Sequence, residues 1–193
     1  MTDLIVTPLM QVAAIILLMV MPLLTMRTLS EEKKQQTLSL LISAPISMTE
    51  IVLGKYLGLL LFVVILVSML MLMPLSLYLG TSLDGGKLMS IYLGMLLLLA
   101  AFAAIGLYLS SLTENQTIAA ISTFGTLLML WVIDWVGSTV ESGESLLTYV
   151  SLLQHHQSLL EGVFDSSDII YFALLILAFL VLTIRQLDRE RLL

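Results

Sequence analysis

Five apolar runs limit what this chain can become: residues 5–26, 56–79, 88–109, 118–136 and 169–184. Each approaches the ~20 residues that an α-helix needs to cross a ~30 Å hydrocarbon core. Inside lipid a backbone N–H or C=O finds no water, so a spanning segment must satisfy its own hydrogen bonds. The runs lack the apolar-out, polar-in alternation of a membrane β-barrel. They predict an all-α, polytopic membrane fold with five transmembrane helices. Composition agrees, at 59% hydrophobic and 11% charged residues, where a soluble domain carries about 25% charged. No internal repeat, low-complexity tract or soluble domain interrupts the pattern, so residues 1–193 read as one transmembrane domain.

Lys and Arg near the ends of spans mark the cytoplasmic side. Arg27, Lys33, Lys34 and Lys55 lie between the first and second runs, and Arg185, Arg189 and Arg191 follow the last. Four spans separate these groups, so they share a face. Only Lys87 falls on the other, and the C-terminus is expected in the cytoplasm. The outer face takes Asp3, Asp84, Glu141, Glu144, Glu161, Asp165 and Asp168, which accounts for the net charge of −6. Five spans place the N-terminus outside, so a relative with one more span upstream, six in all, is expected. A net charge of −6 gives no basic footprint for nucleic acid. Cysteine is absent, which excludes disulfides and thiolate metal sites.

The polar segment 27–55, RTLSEEKKQQTLSLLISAPISMTEIVLGK, is the long cation-bearing stretch between two apolar runs. Glu31, Glu32, Lys33, Lys34, Gln35 and Gln36 favour helix, and Leu38, Leu41 and Ile42 give it one apolar side. The first helix is therefore expected to continue through Ile42. Pro45 then breaks it, because a residue before proline avoids the α region. Ser47 or Thr49 can cap a new helix, and Ser47-Met48-Thr49-Glu50 has the spacing of a capping box. Helix, sharp turn, helix is the expected form. A solvated linker needs no apolar side, so the segment reads as a docking element for a partner. Residues 137–168, with Leu146, Leu147, Val150, Leu153, Leu159 and Leu160 at helical intervals, predict one or two short amphipathic helices in or dipping into the outer interface.

Catalytic motifs are missing: there is no HExxH, no GxSxG and no phosphate-binding P-loop. Asp134 is the acid inside an apolar run. A carboxylate at the centre of a membrane helix costs ~2.5–3.5 kcal/mol and marks a transport-pathway candidate. Its place between Trp131 and Trp135, in an aromatic belt, also fits a hydrated interfacial residue. His155 and His156 are adjacent, so on a helix they point about 100° apart and seldom share one ion. Met69, Met71 and Met73 are spaced by two, which spreads them round a helix as adaptable packing. No catalytic or metal-binding set emerges.

The stretch LSEEKKQQTLSLLISAPISMTEIVLGKYLG resembles the motif of ABC-type-2 permeases, nearest the gliding-motility and nitrous-oxide-reductase-maturation permeases. Glu31, Glu32, Lys33, Thr37, Leu38, Leu40, Leu41, Ala44, Pro45, Glu50, Gly54 and Lys55 match that pattern, while Gln36 stands where the family usually has Gly. LSSLTENQTIAA is similar to the family's inner loop, and EGVFDSSDIIYF to its approach to the last span. The resemblance implies a six-span subunit of the bacterial inner membrane, paired with a second permease copy or paralogue and with cytoplasmic ABC ATPase subunits. It implies that ATP and Mg are held by those ATPases, no cofactor by this chain. It also implies that Glu31, Glu32, Lys33, Thr37, Leu38, Leu41 and Pro45 form the ATPase-coupling element. Set against that pattern, the first apolar run is expected to correspond to the family's second span, with the first span and the amphipathic helix before it having no counterpart in residues 1–193. Two other readings stand beside this one: an integral-membrane enzyme using Asp134, Glu161 and His155 at the outer face, and a membrane anchor or assembly factor that does not transport.

Overall fold

The computed structural model describes residues 6–37, 46–78, 85–139, 152–162 and 165–191. Among these it forms seven helices and no strand: α1 (Thr7–Thr25), α2 (Ser30–Lys34), α3 (Met48–Tyr78), α4 (Gly85–Ser111), α5 (Gln116–Thr139), α6 (Leu152–Leu160) and α7 (Ser166–Arg191). The fold is a polytopic helical membrane protein. Four stretches are long and apolar enough to cross a membrane: Thr7–Lys34, Met48–Ser76, Gly85–Ser111 and Ser166–Glu190. The apolar part of α5, Gln116–Val132, is shorter.

The helix α4 lies at the centre, packed against α1, α3, α5, α6 and α7. Its apolar window is 67% buried, against 17% for that of α3 and 22% for that of α7. Small side chains explain the position. Ala101, Ala103, Ala104 and Gly106 are fully buried, and small residues let helix backbones approach closely. The approach is tightest at Gly106, where a Cβ would fall 2.2 Å from Thr25 Oγ1. α3 instead turns Leu57, Leu61, Met69 and Leu72 outward, a surface suited to lipid. Met69 and Met73 are exposed while Met71 packs on the core, as their spacing implies.

The ends of two helices differ from expectation. The run at 169–184 lies in a helix that continues to Arg191. Its last turns combine good helix formers with a buried Leu187 and a Gln186–Glu190 hydrogen bond of 3.3 Å. The first helix does not continue through Ile42. It stops at Thr25, resumes only over Ser30–Lys34, and Gln36 then adopts φ 56°. Hydroxyls cause part of this. Thr28 Oγ1 donates to the Thr25 carbonyl at 2.6 Å, and Ser30 Oγ to that of Met26, local bonds that compete with regular helix. Gln36 is in the left-handed region that favours Gly, the residue its position in the resembled pattern usually carries. Leu38, Leu41 and Pro45 lie outside the described residues.

The start of α3 follows the sequence pattern. Glu50 N–H donates to Ser47 Oγ at 3.3 Å and Ser47 N–H to Glu50 Oε2 at 2.9 Å, the reciprocal bonds of a capping box. α6 supplies one short amphipathic helix of the expected outer segment. It does not lie flat on a surface: Leu152, His156, Leu159 and Leu160 are buried against the bundle. Residues 140–151 of that segment lie outside the described residues.

Candidate functional site

The cation-bearing segment gathers at one end of the bundle, and its polar groups are shared among several helices. Ser110, near the end of α4, is buried. Its hydroxyl accepts from the backbone N–H of Leu29 at 3.2 Å and of Ser30 at 3.1 Å, and donates to the Met26 carbonyl at 3.2 Å. One hydroxyl thus fills its whole hydrogen-bonding capacity by fixing the turn between α1 and α2. The N–H groups at a helix start have no intrahelical partner, and here the neighbouring helix supplies one.

Lys33 reaches further. Its ammonium donates to the Ser111 carbonyl and pairs with Glu190 Oε1 near the end of α7. The Lys33 side chain is 7% exposed, so this is an inward strut. Lys55, about two turns into α3, donates to the Thr28 carbonyl at 2.7 Å and pairs with Glu32 Oε1 at 2.5 Å. Thr37 N–H and Oγ1 both donate to the Glu32 carbonyl, at 3.0 and 3.3 Å. The five residues of α2 are therefore tied to the ends of α3, α4 and α7 together. Glu31 accepts from Gln35 Nε2 at 3.3 Å on the solvent side, and Lys34 is exposed.

Among the expected coupling residues, then, Thr37 bonds to Glu32, while the side chains of Glu32 and Lys33 turn toward the bundle to meet Lys55 and Glu190. Glu31 stays on the open side. Sequence reasoning missed Ser110, Ser111 and Glu190, which lie about 80 to 157 positions from their partners. Only the common face of the loops and C-terminal cations hinted at their proximity.

At the opposite end, His155 Nδ1 lies 2.6 Å from Asp168 Oδ1 and its ring stacks on Tyr171 at 4.4 Å. Asp165, just before α7, accepts from Ser167 N–H at 3.1 Å. That bond holds its carboxyl below the usual carboxylate range. Glu161 is exposed on the turn after α6. Asp134 belongs to α5, and its side chain lies outside the described residues. His155 thus meets Asp168, a partner that sequence spacing did not reveal. Among the described residues no three His, Cys, Asp or Glu side chains could hold a metal ion together.

No curated protein and no solved structure matches the chain. The family model for ABC-2 family transporter protein matches residues 3–192.

Proposed function

The chain belongs to the ABC-2 transporter family, and on that premise we propose that it is the permease subunit through which a separate ATPase chain drives substrate across a bacterial inner membrane. The observation that carries this reading is the bracing of α2. A short helix bonded to the ends of α3, α4 and α7 is suited to pass a push from the cytoplasmic side to several spans at once. Glu32 and Lys33 are the inner anchors of that device. Glu31, Lys34 and the stretch carrying Leu38, Leu41 and Pro45 supply the face offered to the ATPase. ATP and Mg would sit in that partner, because this chain has no P-loop. A second permease copy or paralogue would complete the pathway, and Asp134 would line it. The C-terminus, whose α7 meets Lys33, would be cytoplasmic.

The test is reconstitution with the cognate ATPase. Glu31→Arg combined with Leu38→Asp should lower ATPase stimulation and ATP-dependent transport at least tenfold, while thermal unfolding of the permease stays unchanged. Undiminished co-purification and ATPase stimulation would count against docking at this face.

A further inference from the structure

The outer side of α7 forms one continuous stripe. Ile170, Leu174, Leu177, Val181 and Leu182 are exposed, and residues three and four apart share a helix face. Phe172, Leu180 and Leu187 are buried on the opposite face. In a helix long and apolar enough to cross a membrane, such a stripe faces acyl chains. Arg185 stands four residues after Val181 and Arg189 four after that, so both continue the stripe, and both are exposed. At 1.5 Å per residue, Arg185 lies ~28 Å along the axis from Ser166, the start of α7, close to the ~30 Å of a hydrocarbon core. Two guanidinium groups thus stand where the lipid-facing surface passes from chains to headgroups.

Among the described residues neither guanidinium has a hydrogen-bond or ion-pair partner. Asp188 is exposed beside them but pairs with neither. Glu190, the next carboxylate, turns inward and is taken by Lys33. We propose that Arg185 and Arg189 form a headgroup site for an anionic phospholipid of the adjoining leaflet. Charge fits, since anionic headgroups attract basic residues at the end of a span. Shape fits as well, since a guanidinium can grip a phosphate through two parallel N–H bonds. The long Arg stems can lie along Val181 and Leu182 while their heads stay in the polar layer. An acidic patch on a protein partner would meet the same charges. The apolar stripe that leads up to them instead suits the acyl chains below a headgroup. Such a lipid would hold α7 from outside, as Lys33 holds Glu190 from inside. The coupling role proposed above is not needed for this site.

The experiment uses the whole chain in phosphatidylcholine nanodiscs that hold a minor fraction of phosphatidylglycerol, with native mass spectrometry counting the lipid each chain retains. The parent chain should hold phosphatidylglycerol about tenfold more tightly than phosphatidylcholine, and Arg185→Gln with Arg189→Gln should cut that preference to about twofold. Arg27→Gln with Lys34→Gln removes as much charge from two other exposed cations at the same end and should leave the preference intact. Phosphatidylglycerol should also raise the thermal unfolding midpoint of the parent chain, and not that of Arg185→Gln with Arg189→Gln. Equal losses in the two double variants would mean diffuse attraction and would overturn the site. Specific displacement of the lipid by inorganic phosphate at constant ionic strength would identify a free anion as the ligand. Unchanged lipid preference with weakened ATPase co-purification would identify a protein contact. Either result would also overturn the assignment.

Discussion

At the cation-rich end the helices are joined by polar bonds that cross the sequence, Lys33 to Glu190, Lys55 to Glu32 and Ser110 to Leu29 and Ser30. At the opposite end α6 is held mainly by apolar burial of Leu152, Leu159 and Leu160, with a bond of 2.7 Å from Ser90 Oγ to the Leu159 carbonyl and the contact of His155 with Asp168 at 2.6 Å. Charge-assisted bonds have direction and short range, so they fix α2 at defined points. Apolar contacts are non-directional and tolerate small slides. One end is therefore the braced one and the other the sealing one.

The sharpest way to break this comparison is to place one kind of change at both ends. Gly106 and Gly94 both lie where α4 meets a neighbour. At Gly106 an added Cβ meets the β-branched Thr25 side chain at 2.2 and 2.6 Å, and a stiff χ1 offers no escape. Gly106→Ala should cost about 3 kcal/mol, seen as loss of the folded species by size-exclusion and thermal unfolding in mild detergent. At Gly94 the obstacle is Leu159 Cβ at 2.9 Å, on a short helix that can shift. Gly94→Ala should cost only about 1 kcal/mol. Equal losses would mean that the sealing end is as rigid as the braced one.

The next largest effect concerns pH and only the sealing end. His156 has a folded pKa of about 4, below the ordinary 6.5, because burial disfavours its charged form. The unfolded chain takes up the proton first. Stability from this group is therefore complete above about pH 6.5 and falls as pH drops to about 4, by on the order of 3 kcal/mol. Unfolding curves between pH 7.5 and 4 should show this loss, and His156→Leu should flatten it. A profile unchanged by the substitution would show that the fall comes from other groups.

Smaller effects belong to the braces. Lys33→Met leaves the Ser111 carbonyl and Glu190 without their ammonium. With Glu190 28% exposed, the loss should be about 1–2 kcal/mol. A double-mutant cycle with Glu190→Gln should give a coupling energy above ~0.5 kcal/mol, and additive losses would deny the strut. Ser47→Ala removes one half of the capping box and should cost ~0.5–1 kcal/mol. Amide exchange in the first turn of α3 should report it, with α6 unaffected.

The sequence made the helices legible because lipid leaves an apolar run no other way to satisfy its backbone. The Ser47–Glu50 box was legible because both partners lie within one turn. The interruption of the first helix was not: composition favoured helix through Gln36, and the bonds that redirect the chain come from Ser110 on another element. The strut from Lys33 to Glu190 and the pair of His155 with Asp168 escaped for the same reason, since no periodicity encodes a partner across the bundle. The Ala and Gly residues of α4 suit close packing, but nothing in their spacing names Thr25 as the neighbour.

The central place of α4 has a consequence in time. Its neighbours come from both directions along the chain, α1 and α3 made before it, α5, α6 and α7 after. A growing chain delivers α4 to the bilayer with half its groove already lined and half bare. Until α7 emerges, Lys33 waits without Glu190 and Tyr108 without the Phe179 ring that meets it at 5.7 Å. Synthesis thus runs from one end to the other, but the bundle closes on links whose first partners are made well before their second.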